Sequence, residues 1–282
     1  MTTRDLSNES EYSLRPRHPD FEDHFTEWRT LSDSARVSLD CELGIAYGDG
    51  PNMTLDLFPA AGNSNPLLIF IHGGYWRSMD KDDHAFVALG FVPEGVSVAS
   101  INYALTPSVS LDEIVAQVQG AIVWLHANAT RASADPANLH VSGHSAGGHL
   151  TAAMLSTDWA ARGLPADTLK SGMPISGIFD LRPLLKTSIN DDVGLDDTAA
   201  HRNSPLLHLP AHGAPMLAAV GLGETDQFVA QSRAYATAWS NAGFDGAFLG
   251  VPELHHFNIL TDLAFPDRAL TRAALDHIRG TR

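Results

Sequence analysis

The chain of 282 residues has one cysteine, few cations and no long hydrophobic run. A single cysteine, Cys41, cannot form an intrachain disulfide, which excludes a disulfide-stapled scaffold and fits a reducing compartment. Lys and Arg number 18 against 33 Asp and Glu, so the formal net charge is −15. That charge disfavours binding to nucleic acid or to an anionic membrane surface. No apolar run is long enough to span a bilayer, and residues 1–10 lack the apolar core of a signal peptide. We therefore expect a cytoplasmic protein.

What the chain does contain is a regular alternation of short apolar segments and amphipathic segments. Hydrophobic residues make up 44% of it, enough to bury one large core. This alternation predicts an α/β fold, with a mostly parallel central sheet flanked by helices. The predicted strands are 53–58, 67–71, 96–101, 138–142, 173–178, 215–220 and 246–251, and the predicted helices are 111–127, 148–155, 226–241 and 267–279.

The first forty residues differ in character from the rest. Within a charged segment, apolar side chains recur at helical spacing, namely Phe21, Phe25, Trp28 and Leu31. Aromatic residues at this spacing usually pack against a core. We expect residues 1–40 to form an N-terminal helical arm that packs on the fold or acts as a partial lid. Residues 41–282 are then the catalytic domain.

The segment 143–147 has the form G-x-S-x-G, with Ser145 at its centre. A strand-like segment precedes it and a helix-like segment follows it. This context predicts a sharp turn that presents the serine hydroxyl above the sheet. Composition alone would produce the pattern in about one chain in ten of this length, so neighbouring features must support it. A serine hydroxyl is a poor nucleophile at neutral pH and needs a base and an orienting acid.

Candidates for both partners follow the serine in the expected chain order of serine, acid and histidine. The adjacent His255 and His256 come after the last predicted strand, and spacing alone does not choose between them. The loop after strand 215–220 offers two acids, Glu224 and Asp226. We predict Glu224 because it comes sooner after the strand. Asp226 remains the alternative, since it stands where it could cap a helix.

Two backbone segments are predicted to stabilise the negative charge that develops on the substrate oxygen during the reaction. The N–H group of Ala146 would act together with an N–H group from the loop that contains Gly73, Gly74 and Tyr75. Consecutive glycines let the backbone approach a tetrahedral oxygen closely. The neighbouring aromatic residues Tyr75 and Trp76 are predicted to contact the substrate.

The 14 histidines form no recognised metal-binding motif. There is no H-E-x-x-H sequence, and Pro210 interrupts the spacing of His208 and His212. No glycine-rich nucleotide loop is present either. We expect no cofactor and no metal, with a small ester or amide as the binding partner. A homodimer is compatible with these observations.

Several segments taken together carry a family signature. They are 72–77 with Asp80 and Lys81, then 143–150, 176–184, 203–205 and 256–257. In these segments the chain resembles the arylformamidase (kynurenine formamidase) branch of the α/β-hydrolases, from about Glu42 to the C-terminus. The resemblance implies an α/β-hydrolase fold with Ser145 as nucleophile and His256, before Phe257, as base. It also implies a carboxylate at Glu224 and an oxyanion loop at 73–75.

The sequence thus predicts a serine hydrolase that removes a small acyl group from an aryl amide or ester, with N-formylkynurenine as the leading substrate. A short-chain carboxylesterase is the alternative within the same class. A non-catalytic receptor on a hydrolase fold is the alternative from another class, but such proteins usually lose the nucleophile or the base. Here Ser145 and His256 are both present.

Overall fold

An eight-stranded sheet lies at the centre of residues 4–280, which the computed structural model of the chain describes. Its spatial order is β1-β2-β4-β3-β5-β6-β7-β8. The pairs β1·β2 and β2·β4 are antiparallel, and all later pairs are parallel. The strands are β1 Glu42–Ala46, β2 Thr54–Phe58, β3 Asn65–Ile71, β4 Ser97–Ile101, β5 Ala134–His144, β6 Leu169–Ile175, β7 Met216–Gly221 and β8 Gly246–Val251.

Helices flank this sheet, with short 3-10 turns in the connections. The fourth helix begins with a capping box, in which Ser110 accepts the N–H of Glu113 at 3.3 Å and donates its own N–H to the Glu113 carboxylate at 2.7 Å. The helices are α1 Leu6–Tyr12, α2 Phe21–Ser38, α3 Ala88–Phe91, α4 Leu111–Asn128, α5 Ala146–Leu155, α6 Asn190–Val193, α7 Asp197–Arg202, α8 Asp226–Asn241, α9 Asn258–Thr261 and α10 Ala269–Gly280. Within residues 4–280, none of them combines the length and the apolar character needed to cross a membrane.

Seven of the eight strands overlap predicted strands, and β1 is the one that was not predicted. The pattern of β1 carries no burial signal, because it is an edge strand with mostly exposed residues and an irregularity at Gly44. Strand β6 begins and ends earlier than the predicted strand 173–178, at Leu169 and Ile175. Ser176 has φ +49°, which breaks the extended conformation and turns the chain out of the sheet.

Helices α1 and α2, the predicted arm, pack against the rest of the fold. The indole of Trp28, in α2, is 1% exposed, and its Nε1 donates to Thr261 Oγ1 at 3.1 Å. At the end of α1 the buried Tyr12 accepts a hydrogen bond of 2.6 Å from Gln231 Nε2 through its hydroxyl oxygen. Its backbone carbonyl accepts one of 2.6 Å from the hydroxyl of Tyr75. These contacts join the arm to α8 and to the loop after β3.

Buried neutral histidines are expected to make the fold sensitive to acid. Burial lowers the pKa of His84 to about 3 and that of His149 to about 4, against about 6.5 in an unfolded chain. The unfolded state therefore binds more protons below pH 6.5, and the free energy of unfolding falls as the pH decreases from 6.5 towards 4. The slope is about 1.4 kcal/mol per pH unit for each histidine.

Urea unfolding at pH 7 and at pH 5 measures this slope. We expect His149→Gln to reduce the slope by the contribution of one histidine, about 1.4 kcal/mol per pH unit. His212→Gln, at an exposed position, should leave the slope unchanged. Equal slopes for all three proteins would contradict the assignment to buried imidazoles.

Candidate active site

Ser145 occupies a strained turn between β5, which ends at His144, and α5, which begins at Ala146. Its backbone has φ 59° and ψ −118°, and its N–H donates to the carbonyl of Ile175 at 2.9 Å. A Cβ on Gly147 would lie 2.0 Å from the carbonyl oxygen of Ile71, so no larger residue fits this position without a backbone shift. This is the geometry of a nucleophile elbow, as the motif predicts.

His256 and Glu224 form a buried, hydrogen-bonded pair. His256 Nδ1 lies 2.7 Å from Glu224 Oε2, and the two side chains are 5% and 0% exposed. An ionised carboxylate only accepts hydrogen bonds, so this contact assigns the imidazole proton to Nδ1. Nε2 is then the nitrogen that is able to accept a proton. The pair has the arrangement of the base and acid of a triad.

Two further donors hold the Glu224 carboxylate at its other oxygen. Ser176 Oγ donates to Oε1 at 2.5 Å, and the N–H of Gly221 donates to it at 3.0 Å. Sequence reasoning did not identify Ser176 as part of the site. The signal was its place at the start of segment 176–184, which carries part of the family resemblance. Its positive φ turns the hydroxyl-bearing residue towards the acid loop.

The alternative acid and base lie elsewhere. Asp226 is exposed and is the first residue of α8, and Thr225 occupies the N-cap position considered for it. His255 stacks on His18 of the arm, with ring centroids 4.2 Å apart. Burial, followed by repulsion from His18 and His24, lowers the pKa of His255 to about 4. The structure therefore brings Glu224, and not Asp226, to the imidazole of His256.

The loop at 73–75 lies directly against the nucleophile. A Cβ on Gly73 would be 2.8 Å from the carbonyl oxygen of His144 and 3.2 Å from the Cβ of Ser145. Gly74 has φ +104°, a conformation that favours glycine. Ala146 is fully buried at the N-terminus of α5, where backbone N–H groups are free of helical partners. Gly73 and Ala146 thus lie next to Ser145, and their role as oxyanion donors stays a prediction.

The two aromatic residues after the glycines lie in different environments. Tyr75 lines the pocket above Ser145, whereas Trp76 is fully buried and packs edge-on against His149, with ring centroids 5.0 Å apart. The prediction that Trp76 contacts the substrate is therefore wrong. Positive φ values at Tyr75 and Trp76 turn the indole of Trp76 beneath the loop. The sequence alone did not predict this backbone conformation.

One pocket contains both Ser145 and His256. Much of its wall comes from the arm, so this segment both packs on the fold and borders the pocket. Sequence reasoning missed these contributions because they depend on long-range contacts. The arm residues in the wall are Tyr12, Ser13, Leu14, Arg15, Phe25 and Trp28. A larger and more open hollow of about 620 Å³ lies beside α4 and α5 and contains none of the predicted catalytic side chains.

Other histidines near the site have different surroundings. His144 is buried with its ring centroid 4.5 Å from that of His256, and burial holds the pKa of His144 well below its usual value. It therefore adds no positive charge beside the base at neutral pH.

Asp20, His24 and His255 place ligand-type atoms within 4.8 Å of one another at the junction of arm and domain. The absence of a metal stays a prediction, which dialysis against EDTA tests.

Comparisons with known proteins show the family of the chain. The BD-FAE family matches residues 55–174. A kynurenine formamidase from Danio rerio is 31% identical over 90% of this chain and 88% of its own, and one from Salmo salar is 33% identical over 89% and 87%. The crystal structure of a candidate thioesterase from Silicibacter sp. superimposes with a TM-score of 0.83, at 32% identity over 94% of this chain and 97% of its own. The chain belongs to the kynurenine formamidase family of α/β-hydrolases.

Proposed function

We propose that the protein is a serine hydrolase that removes the formyl group from N-formylkynurenine. The observation that carries this proposal is the buried His256–Glu224 pair, whose imidazole lines the same pocket as Ser145 on its strained elbow. Sequence similarity to kynurenine formamidases over most of the chain supports a formyl aryl amide as the substrate.

The reaction starts when Ser145 Oγ attacks the formyl carbon and His256 Nε2 takes the hydroxyl proton. The charge that develops on the formyl oxygen is stabilised by backbone N–H groups at Ala146 and in the 73–75 loop. His256 then returns the proton to the aryl nitrogen as the C–N bond breaks, which releases kynurenine and leaves a formyl ester on Ser145. Water attacks this ester by the same route and releases formate. Glu224 stabilises the imidazolium that forms in both halves.

Short-chain ester hydrolysis is the second candidate. The similarity to a candidate thioesterase favours it, because the same acyl-enzyme chemistry cleaves esters and amides. An ester is intrinsically easier to cleave, so measurable activity on activated esters is expected in either case. The ranking of substrates therefore distinguishes the two candidates.

A substrate comparison tests the choice. We expect kcat/KM for N-formylkynurenine to exceed that for p-nitrophenyl acetate and p-nitrophenyl butyrate by at least about tenfold, because a matched leaving group is bound in the transition state. Formate release and absorbance at the nitrophenolate band give the two rates. A preference for either ester, with slow turnover of N-formylkynurenine, would assign the protein as an esterase instead.

A further inference from the structure

We propose that Arg15 forms an anion subsite at the rim of the catalytic pocket and binds a carboxylate on the leaving-group side of the substrate. The inference deepens the proposed function and rests on it, because the amino-acid part of N-formylkynurenine carries such a carboxylate. The substrate class it defines is an aryl amide or ester whose leaving group bears a carboxylate.

The guanidinium of Arg15 lies against two aromatic rings. Its Cζ lies 5.1 Å from the ring centroid of Phe21 and 5.8 Å from that of Phe25. Stacking of this kind fixes a guanidinium while its N–H edges stay available. Within residues 4–280 it makes no ion pair with a carboxylate. The side chain lines the pocket that contains Ser145.

Neighbouring arginines are neutralised by acids. Arg77, which also lines the pocket, has its Nη1 2.5 Å from Asp192 Oδ2. Arg17, in the same 3-10 turn as Arg15, pairs with Glu11 at 3.1 Å and lies outside the pocket lining. Of these three cations, Arg15 is therefore the one without a carboxylate partner in the described part of the chain.

The backbone holds Arg15 in place. Leu14, just before it, is 5% exposed and belongs to the core, and Pro16 fixes the first turn of the 3-10 helix Arg15–Arg17. Both features restrict the backbone at Arg15, which is itself an exposed residue. A preorganised guanidinium loses less entropy when it binds a carboxylate.

Charge and polarity favour an anionic ligand here. A protein of net charge −15 repels anions in general, so an unpaired cation at the pocket rim supplies the local attraction that a carboxylate needs. The side chains of Phe25, Trp28 and Phe257 line the same pocket as Arg15, Ser145 and His256. This apolar surface suits an aryl ring whose carboxylate binds Arg15 and whose scissile bond lies at Ser145.

Paired substrates with and without a carboxylate test the subsite. The pairs are N-formylkynurenine with formanilide, and 4-acetoxybenzoate with phenyl acetate. We expect Arg15→Gln to lower the ratio of kcat/KM for charged over neutral substrate by about 10- to 100-fold, mostly through KM, as the loss of a charge-assisted hydrogen bond predicts. Arg15→Lys should retain part of the ratio. Arg17→Gln is the matched control and should leave the ratio as in the wild type.

An unchanged ratio in Arg15→Gln would overturn the subsite. An equal loss for charged and neutral members of each pair would overturn it too, because it would show a merely structural role. If the wild-type protein cleaves the esters but not N-formylkynurenine, the formamidase proposal fails, and the ester pair still decides the role of Arg15. Should Arg15→Gln be unstable in thermal unfolding, Arg15→Lys and the salt dependence of KM for the charged ester give the same decision.

Discussion

Ser145→Ala is expected to lower kcat for N-formylkynurenine by about 10⁴-fold or more while the protein still folds. The hydroxyl is the atom that attacks, and base and acid have no other nucleophile to activate, so members of a triad do not substitute for one another. Ser145 is 4% exposed, and alanine fits its space without adding atoms. Formate release under saturating substrate measures the loss.

Ser142→Ala is the matched control for that variant. Ser142 is a buried serine of β5 whose Oγ donates to the carbonyl of Met173 at 2.7 Å, outside the catalytic pocket. Its loss should cost about 1 kcal/mol of stability and leave most activity in place. Undiminished turnover by Ser145→Ala would refute the serine mechanism.

Glu224→Gln is expected to lower kcat by about 10²- to 10⁴-fold. A neutral amide does not stabilise the imidazolium of His256, and its NH₂ group favours the wrong imidazole tautomer. Asp226→Asn should change kcat by less than about twofold, because Asp226 is exposed at the first turn of α8, where asparagine is tolerated. Steady-state kinetics on both variants measures the difference. A greater loss in Asp226→Asn would make Asp226 the acid.

Glu224→Asp distinguishes the effect of the carboxylate's charge from the effect of its position. Glutamate places its carboxylate 2.7 Å from His256 Nδ1 while Ser176 and Gly221 hold the other oxygen. Aspartate is one methylene shorter and cannot keep all three contacts, so we expect a kcat between those of the wild type and Glu224→Gln. Activity equal to that of Glu224→Gln would show that the position of the carboxylate matters as much as its charge.

The parallel strands and long helices of the sheet were predictable because local pattern determines them. The continuous apolar run of β3 is nearly fully buried, as expected of a central parallel strand. Helix α8 has the predicted limits, Asp226–Asn241. The edge strand β1 was missed, since its residues are mostly exposed and carry no alternation.

Site features that depend on distant contacts were harder to predict. Ser145 and the two-histidine segment followed from motif and chain order, but the choice between His255 and His256 needed the family resemblance. Trp76 was assigned to the pocket from its position, and only the positive φ at 75 and 76 places it in the core. The wall contributed by Tyr12 and Arg15 arises from packing of the arm across the domain.

Labelling with a fluorophosphonate tests the central claim most directly. The claim predicts one covalent adduct per chain, mapped to Ser145 by mass spectrometry, and loss of N-formylkynurenine hydrolysis in proportion to the labelled fraction. N-formylkynurenine should slow the labelling, and Ser145→Ala protein should take up no label. Full labelling of Ser145 with formamidase activity retained would contradict the claim.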